Sequence, residues 1–130
     1  MELILDTSFV VALERERKRG QAGPAKAFLK DHMEDHFFIT FTAAGELACG
    51  RSAAAKHHWQ RLCRPFPILP WNPGISWIYG EIYRHLQEKG TLIGSNDLWI
   101  AATALSKGFC LVSNNLRDFR KVPELKTLGF

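Results

Sequence analysis

The chain has 130 residues, enough for one domain (1–130) that buries its own core without staples. Apolar residues make up 46% and charged residues 23%, an ordinary balance that excludes a disordered or collagen-like chain. The 17 Lys and Arg against 13 Asp and Glu leave a formal net charge of +4, a mild lean toward polyanionic partners but no nucleic-acid signature by itself. Cys49, Cys63 and Cys110 are odd in number and far apart, without zinc-ligand spacing, so buried reduced thiols are expected. Glu2 precedes only a short apolar run, which does not read as a signal peptide, and no run approaches membrane-spanning length. A cytoplasmic location is the expectation.

Leu3-Ile4-Leu5 is wholly apolar, the mark of a strand buried on both faces, and it ends in Asp6-Thr7-Ser8 before a helical stretch from Phe9. Strand, acid, hydroxyls, helix is the layout of an α/β domain that binds ligands beyond the carboxyl ends of parallel strands. At such a junction Asp6 also suits a plain helix cap. The run Arg15-Glu16-Arg17-Lys18-Arg19 reads as a solvated helix end. A turn at 20–24 leads to a helix expected over 25–35, where His32 and His36 lack the His-Glu-x-x-His order of zinc hydrolases. Phe37 to Phe41 predicts a second buried strand. Thr42 is the expected cap of the helix over 43–50.

Glu46 sits one turn into that helix among Ala44, Gly45, Leu47, Ala48 and Cys49. A carboxylate in such a setting needs a cation, a metal or a cleft, because burying it unpaired is costly. A further helix is expected over 53–64, and the proline-hemmed run 66–70 predicts an edge strand. A long helix over 75–89, ended by Gly90, carries Ile78, Tyr79, Ile82, Tyr83 and Leu86 at three- and four-residue spacing, a core or dimer stripe.

The most informative stretch follows. Gly94-Ser95-Asn96-Asp97-Leu98-Trp99-Ile100-Ala101-Ala102 reads as the start of a helix packed on several sides, with Ser95 or Asn96 as cap and Asp97 at the positive end of its dipole. Phe109 to Val112 then predicts another buried strand, running into Ser113-Asn114-Asn115-Leu116-Arg117-Asp118. The residues 126–128 predict a last short strand.

Asp6, Glu46, Asp97 and Asn115/Asp118 therefore share one topological property: in a parallel sheet, all lie at the same edge. Carboxylates that close repel each other, and Mg²⁺ or Mn²⁺, which accept hard oxygen ligands and bridge to phosphate, relieve the repulsion. A metal-bound water deprotonates readily and attacks phosphorus, while the cation's charge stabilises the leaving oxygen.

The segments Leu5-Asp6-Thr7-Ser8-Phe9-Val10, Ala44-Gly45-Glu46-Leu47, Ile93 to Ala102 and Leu111 to Phe119 resemble, in order and spacing, the motifs of PIN-domain ribonucleases, most of all the VapC toxins of VapBC toxin–antitoxin pairs. The resemblance implies a three-layer α/β/α sandwich around a mainly parallel sheet. It implies a Mg²⁺- or Mn²⁺-dependent endoribonuclease, commonly a homodimer, held inactive by a VapB-like antitoxin whose tail occupies the active-site groove. Carried over by residue, Asp6, Glu46 and Asp97 match the three acidic positions of the family. The fourth falls on the neutral Asn115, and Ser113 stands where Thr is common. Asp118 is then favoured as the fourth carboxylate, with Asn115 donating to metal-bound water or phosphate and Ser8 and Ser113 orienting carboxylates. Arg117, Arg120 and Lys121, nearest in sequence, are the candidates for holding the RNA backbone.

Two rivals are weighed against this. A phosphatase of the haloacid dehalogenase type needs a second Asp two residues after the first, where Ser8 stands. A catalytically degenerate PIN-like module that only binds RNA or protein would explain Asn115 but not three intact acids.

Overall fold

The structure is a computed structural model and describes residues 1–50 and 55–130. In chain order the elements are β1 (Glu2–Leu5), α1 (Thr7–Arg19), α2 (Pro24–Asp31), β2 (His36–Thr40), α3 (Phe41–Ala48) and α4 (Lys56–Cys63). They continue with β3 (Ile68–Leu69), α5 (Pro73–Glu88), α6 (Ser95–Lys107), β4 (Cys110–Val112), α7 (Leu116–Phe119) and β5 (Thr127–Leu128).

The five strands form one sheet in the order β3-β2-β1-β4-β5, and every pairing is parallel. β1 and β4 lie inside the sheet, and their six paired residues from Leu3 to Leu5 and Cys110 to Val112 are all buried. Alternation along these strands divides the core. Leu3, Leu5, Cys110 and Val112 pack toward α1, α2, α3 and α4 through Phe9, Val10, Phe28 and Leu47. Ile4 and Leu111 face the other way, onto α5 and α6 through Ile75, Ile82, Leu86, Leu98 and Ile100. The three-layer α/β/α arrangement is the one the family resemblance implies.

From β1 the chain moves outward to β2 and β3, then crosses back to place β4 on the other flank of β1. The crevice between β1 and β4 is therefore the switch point of the sheet, where open α/β folds bind ligands. Leu5, the last residue of β1, pairs with Val112, the last of β4. The Asp6 amide still donates to the Val112 carbonyl at 3.1 Å, so the residues that follow the two strands enter the crevice side by side.

Several local expectations need correction. The cap of α3 is Thr40, whose extended backbone lets its Oγ1 accept from the Ala43 amide at 3.1 Å; Phe41 already belongs to the helix, and the Thr42 hydroxyl is buried without a partner. Neither Ser95 nor Asn96 caps α6. The extended residue Gly94 precedes the helix, which puts both polar residues inside its first turn. α2 stops at Asp31, and His32 pairs with Asp35 at 2.8 Å and stacks on Phe28, while His36 opens β2; the two histidines share no helix face. Cys63 and Cys110 are buried, but Cys49 is exposed. In α5 the stripe packs as core at Ile82 and Leu86, with Ile78 and Tyr79 partly buried against them, whereas Tyr83 is exposed. The expected start of the helix at Ala53 lies outside the described residues. No described helix is long and apolar enough to cross a membrane.

Candidate active site

Asp6 is the first residue past β1 and only 5% exposed. Its two oxygens do different things. Oδ1 caps α1 by accepting from the Phe9 amide at 3.2 Å and also accepts from the Ser8 hydroxyl at 2.5 Å. Oδ2 accepts from the hydroxyl of Ser113, the first residue past β4. The capping and site readings of Asp6 are thus compatible. Burial nevertheless pushes its carboxyl above the usual range, outweighing the help of Ser113, Ser8 and the Phe9 amide, with the Glu46 charge adding to the rise.

Glu46 reaches in from α3. Its Oε1 accepts from the Thr7 hydroxyl at 2.6 Å and its Oε2 from the Asn96 amide at 3.4 Å. Asp97, half-buried in the first turn of α6, is pushed up to about 6 by burial first, then by the charges of Glu46, Asp6 and Asp118. That triple repulsion is the electrostatic sign of a shared pocket.

Asn115 links the remaining side. Its backbone N–H donates to the Ser113 hydroxyl at 2.8 Å, and its side-chain amide donates to Asp97 at 3.4 Å and to Asp118 at 3.3 Å. Asp118 lies on α7, where Asn115 and then Lys121, at 3.3 Å, hold its carboxyl below the usual range. Arg117 and Arg120 are exposed.

Hydrogen bonds run from Asp6 to Ser113, Asn115 and Asp97, and from Asn96 through Glu46 to Thr7; the chain itself, joining Asp97 to Asn96 and Thr7 to Asp6, closes the circuit. Among the described residues no three His, Cys, Asp or Glu side chains are gathered tightly enough to enclose an ion by themselves. The donors are carboxylate, amide and hydroxyl oxygens. Such a set suits a hard divalent cation that keeps several waters and takes one or two direct carboxylates, not a thiolate- or imidazole-bound metal.

Beside Thr7 and Glu46 opens a groove of about 260 Å³ between α1, α3 and α4, floored by Val10, Val11 and Leu47 and flanked by Arg15 and Lys18. The basic run read as a solvated helix end therefore borders the site. Thr7 and Asn96 also escape a reading of local sequence, since their partner is 39 and 50 residues away.

A family model described as PIN domain matches residues 3–125. The chain belongs to the PIN-domain family. Among PIN-domain relatives it is 29% identical to a Ribonuclease VapC of Rickettsia bellii, over 98% of this chain and 96% of that one. A Ribonuclease VapC2 of Haemophilus influenzae is 48% identical over 60 residues, 46% of each chain. By fold, this PIN domain is similar to VapBC2 from Rickettsia felis, solved bound to a promoter DNA fragment: TM-score 0.85 at 22% identity, covering 100% of this chain and 99% of that one.

Proposed function

We propose that this PIN domain is a divalent-metal-dependent endoribonuclease of the VapC type, the toxin of a toxin–antitoxin pair. The observation that carries the reading is that Asp97, beside the β1–β4 crevice, feels the charge of Glu46, Asp6 and Asp118 and shares the Asn115 amide with Asp118. The names of its relatives support the same activity. Asp6, Glu46 and Asp97 are assigned as the carboxylates that hold Mg²⁺ or Mn²⁺, with Asp118 as the fourth.

When bound, such a cation supplies a water of lowered pKa and positive charge for the phosphodiester's leaving oxygen. The chain's residues do the rest. Ser113 and Ser8 fix both oxygens of Asp6, so it presents the cation with a carboxylate of one orientation. Asn115 ties Asp97 to Asp118 without adding charge, and its amide is the group proposed to donate to metal-bound water or phosphate. Arg117 and Arg120 are exposed on or just beyond α7 and suited to RNA phosphates, while Lys121 is drawn back onto Asp118.

A VapB-like antitoxin is the proposed partner, a homodimer the proposed assembly and the cytoplasm the proposed location. The test is cleavage of RNA by the purified chain with Mg²⁺ or Mn²⁺ and with EDTA. Metal-dependent cleavage that Asp97→Asn abolishes is the expected result; equal cleavage by Asp97→Asn would overturn the assignment. The neutral Asn115 favours a second reading, a binding module that has lost catalysis, and RNA binding without cleavage is what that reading requires.

A further inference from the structure

We infer that Glu46 is set in place by a two-sided clamp, with Thr7 and Asn96 as positioning residues of the acidic centre. The inference rests on the proposed metal-dependent function. Glu46 is the only acid of the four carried by α3, and its long side chain has three torsions to fix. Each of its oxygens takes one bond from a neutral donor, the Thr7 hydroxyl at 2.6 Å and the Asn96 amide at 3.4 Å. The second bond is the longer of the two.

The donors' places in the chain give the clamp its meaning. Thr7 directly follows Asp6 as the first residue of α1, and Asn96 directly precedes Asp97 as the second residue of α6. Whatever fixes Asp6 and Asp97 thereby fixes the two donors, and the donors carry that alignment to a third acid on a third element. Asn96 is exposed and caps nothing, and among the described residues its side-chain amide bonds to Glu46 alone.

The chemistry of the donors matters as well. A Lys or Arg would hold Glu46 as firmly but would neutralise it and compete with a divalent cation. A hydroxyl and an amide each occupy one lone pair of one oxygen and leave the charge and the other lone pairs available.

The test is Mn²⁺ titration by calorimetry of the full chain, with the metal-free melting temperature as control. Thr7→Val and Asn96→Ala are each expected to weaken Mn²⁺ binding about 10-fold, the lower end for groups that orient metal ligands. Thr7→Ser, which keeps the hydroxyl, should bind Mn²⁺ as wild type does, a rescue that a packing role for the Thr7 methyl would not give. The metal-free melting temperature of Asn96→Ala should match that of wild type. Wild-type Mn²⁺ affinity in Asn96→Ala and Thr7→Val overturns the clamp alone. Absence of Mn²⁺ binding by the wild-type chain overturns the metal reading and the clamp with it. Should Thr7→Val not fold, Asn96→Ala at its exposed position decides the matter.

Discussion

Glu16 and Glu46 both hang from helices beside the groove-forming layer, and both take hydrogen bonds on each oxygen, yet their donors differ in kind. Glu16 is served by backbone: Gly23 at 2.7 Å and Lys26 at 3.0 Å on one oxygen, Ala25 at 2.9 Å on the other. It supplies from across the turn the cap that Gly23, lacking a side chain, does not give α2. Glu46 is served by side chains that neighbour other acids. An acid consumed by helix amides stabilises a corner, whereas an acid held lightly by neutral side chains, near three others, keeps its charge for something else.

The largest break between the two regions is expected in catalysis. Asp97→Asn should lower RNA cleavage about 1,000-fold or more, the several kcal/mol that a misplaced cation forfeits. Glu16→Ala should leave the single-turnover rate within about twofold, because it touches no part of the acidic circuit. In the metal-free state the order reverses. Asp97→Asn removes a charge opposed by burial and by three neighbours, so its melting temperature should not fall, but the Mn²⁺-induced rise of wild type should be lost.

Stability separates the corner next. Glu16→Ala leaves the first amides of α2 without their cap, a loss of about 1–2 kcal/mol readable as a lower urea midpoint. Gly23→Ala probes the same contact from the other side: a Cβ there would stand 2.8 Å from the Glu16 carboxyl carbon, and the carboxylate cannot retreat while bonded to three amides. The two substitutions should therefore be less than additive.

The same contrast explains what was legible in the sequence. Asp6, Glu46 and Asp97 stand out because each is an acid among apolar or small residues at a strand or helix start, and a parallel sheet collects such positions at one edge. Thr7 and Asn96 are invisible as partners of Glu46, since nothing local marks a contact spanning 39 or 50 residues. Asn96 instead reads as a cap, the ordinary role of that residue before a helix. The Thr42 cap has another source: Phe37 to Phe41 is apolar apart from Thr40, and period alone does not show whether Thr40 or Thr42 marks where β2 yields to α3. Glu16 went unread because the basic residues around it make a complete surface helix end without it.

A pH titration sharpens the corner further. Burial tends to raise the Glu16 carboxyl, but the amides of Lys26, Ala25 and Gly23 outweigh it and hold the folded value below the ordinary 4.5. A depressed carboxyl contributes stability above its unfolded value and loses it as pH falls through the folded one. Wild type should therefore exceed Glu16→Gln in urea midpoint at neutral pH, and the gap should narrow below about 4.5 and close in stronger acid. A gap independent of pH would assign the difference to packing of the side chain instead.

The smallest effect concerns the basic residues of the site's rim, where Lys121 and the two arginines part company. Lys121 lies 3.3 Å from Asp118, so its charge is already spent on the acid. Arg117 and Arg120 are exposed on or just beyond the short helix that carries Asp118. If each meets one phosphate of single-stranded RNA, Arg117→Gln and Arg120→Gln should each reduce the slope of log affinity against log salt by about 0.7. Lys121→Gln should change that slope less, because releasing Asp118 adds a repulsive charge in place of a lost contact. Equal slopes for all three variants and wild type would move the RNA track away from α7, toward Arg15 and Lys18 of the α1 groove.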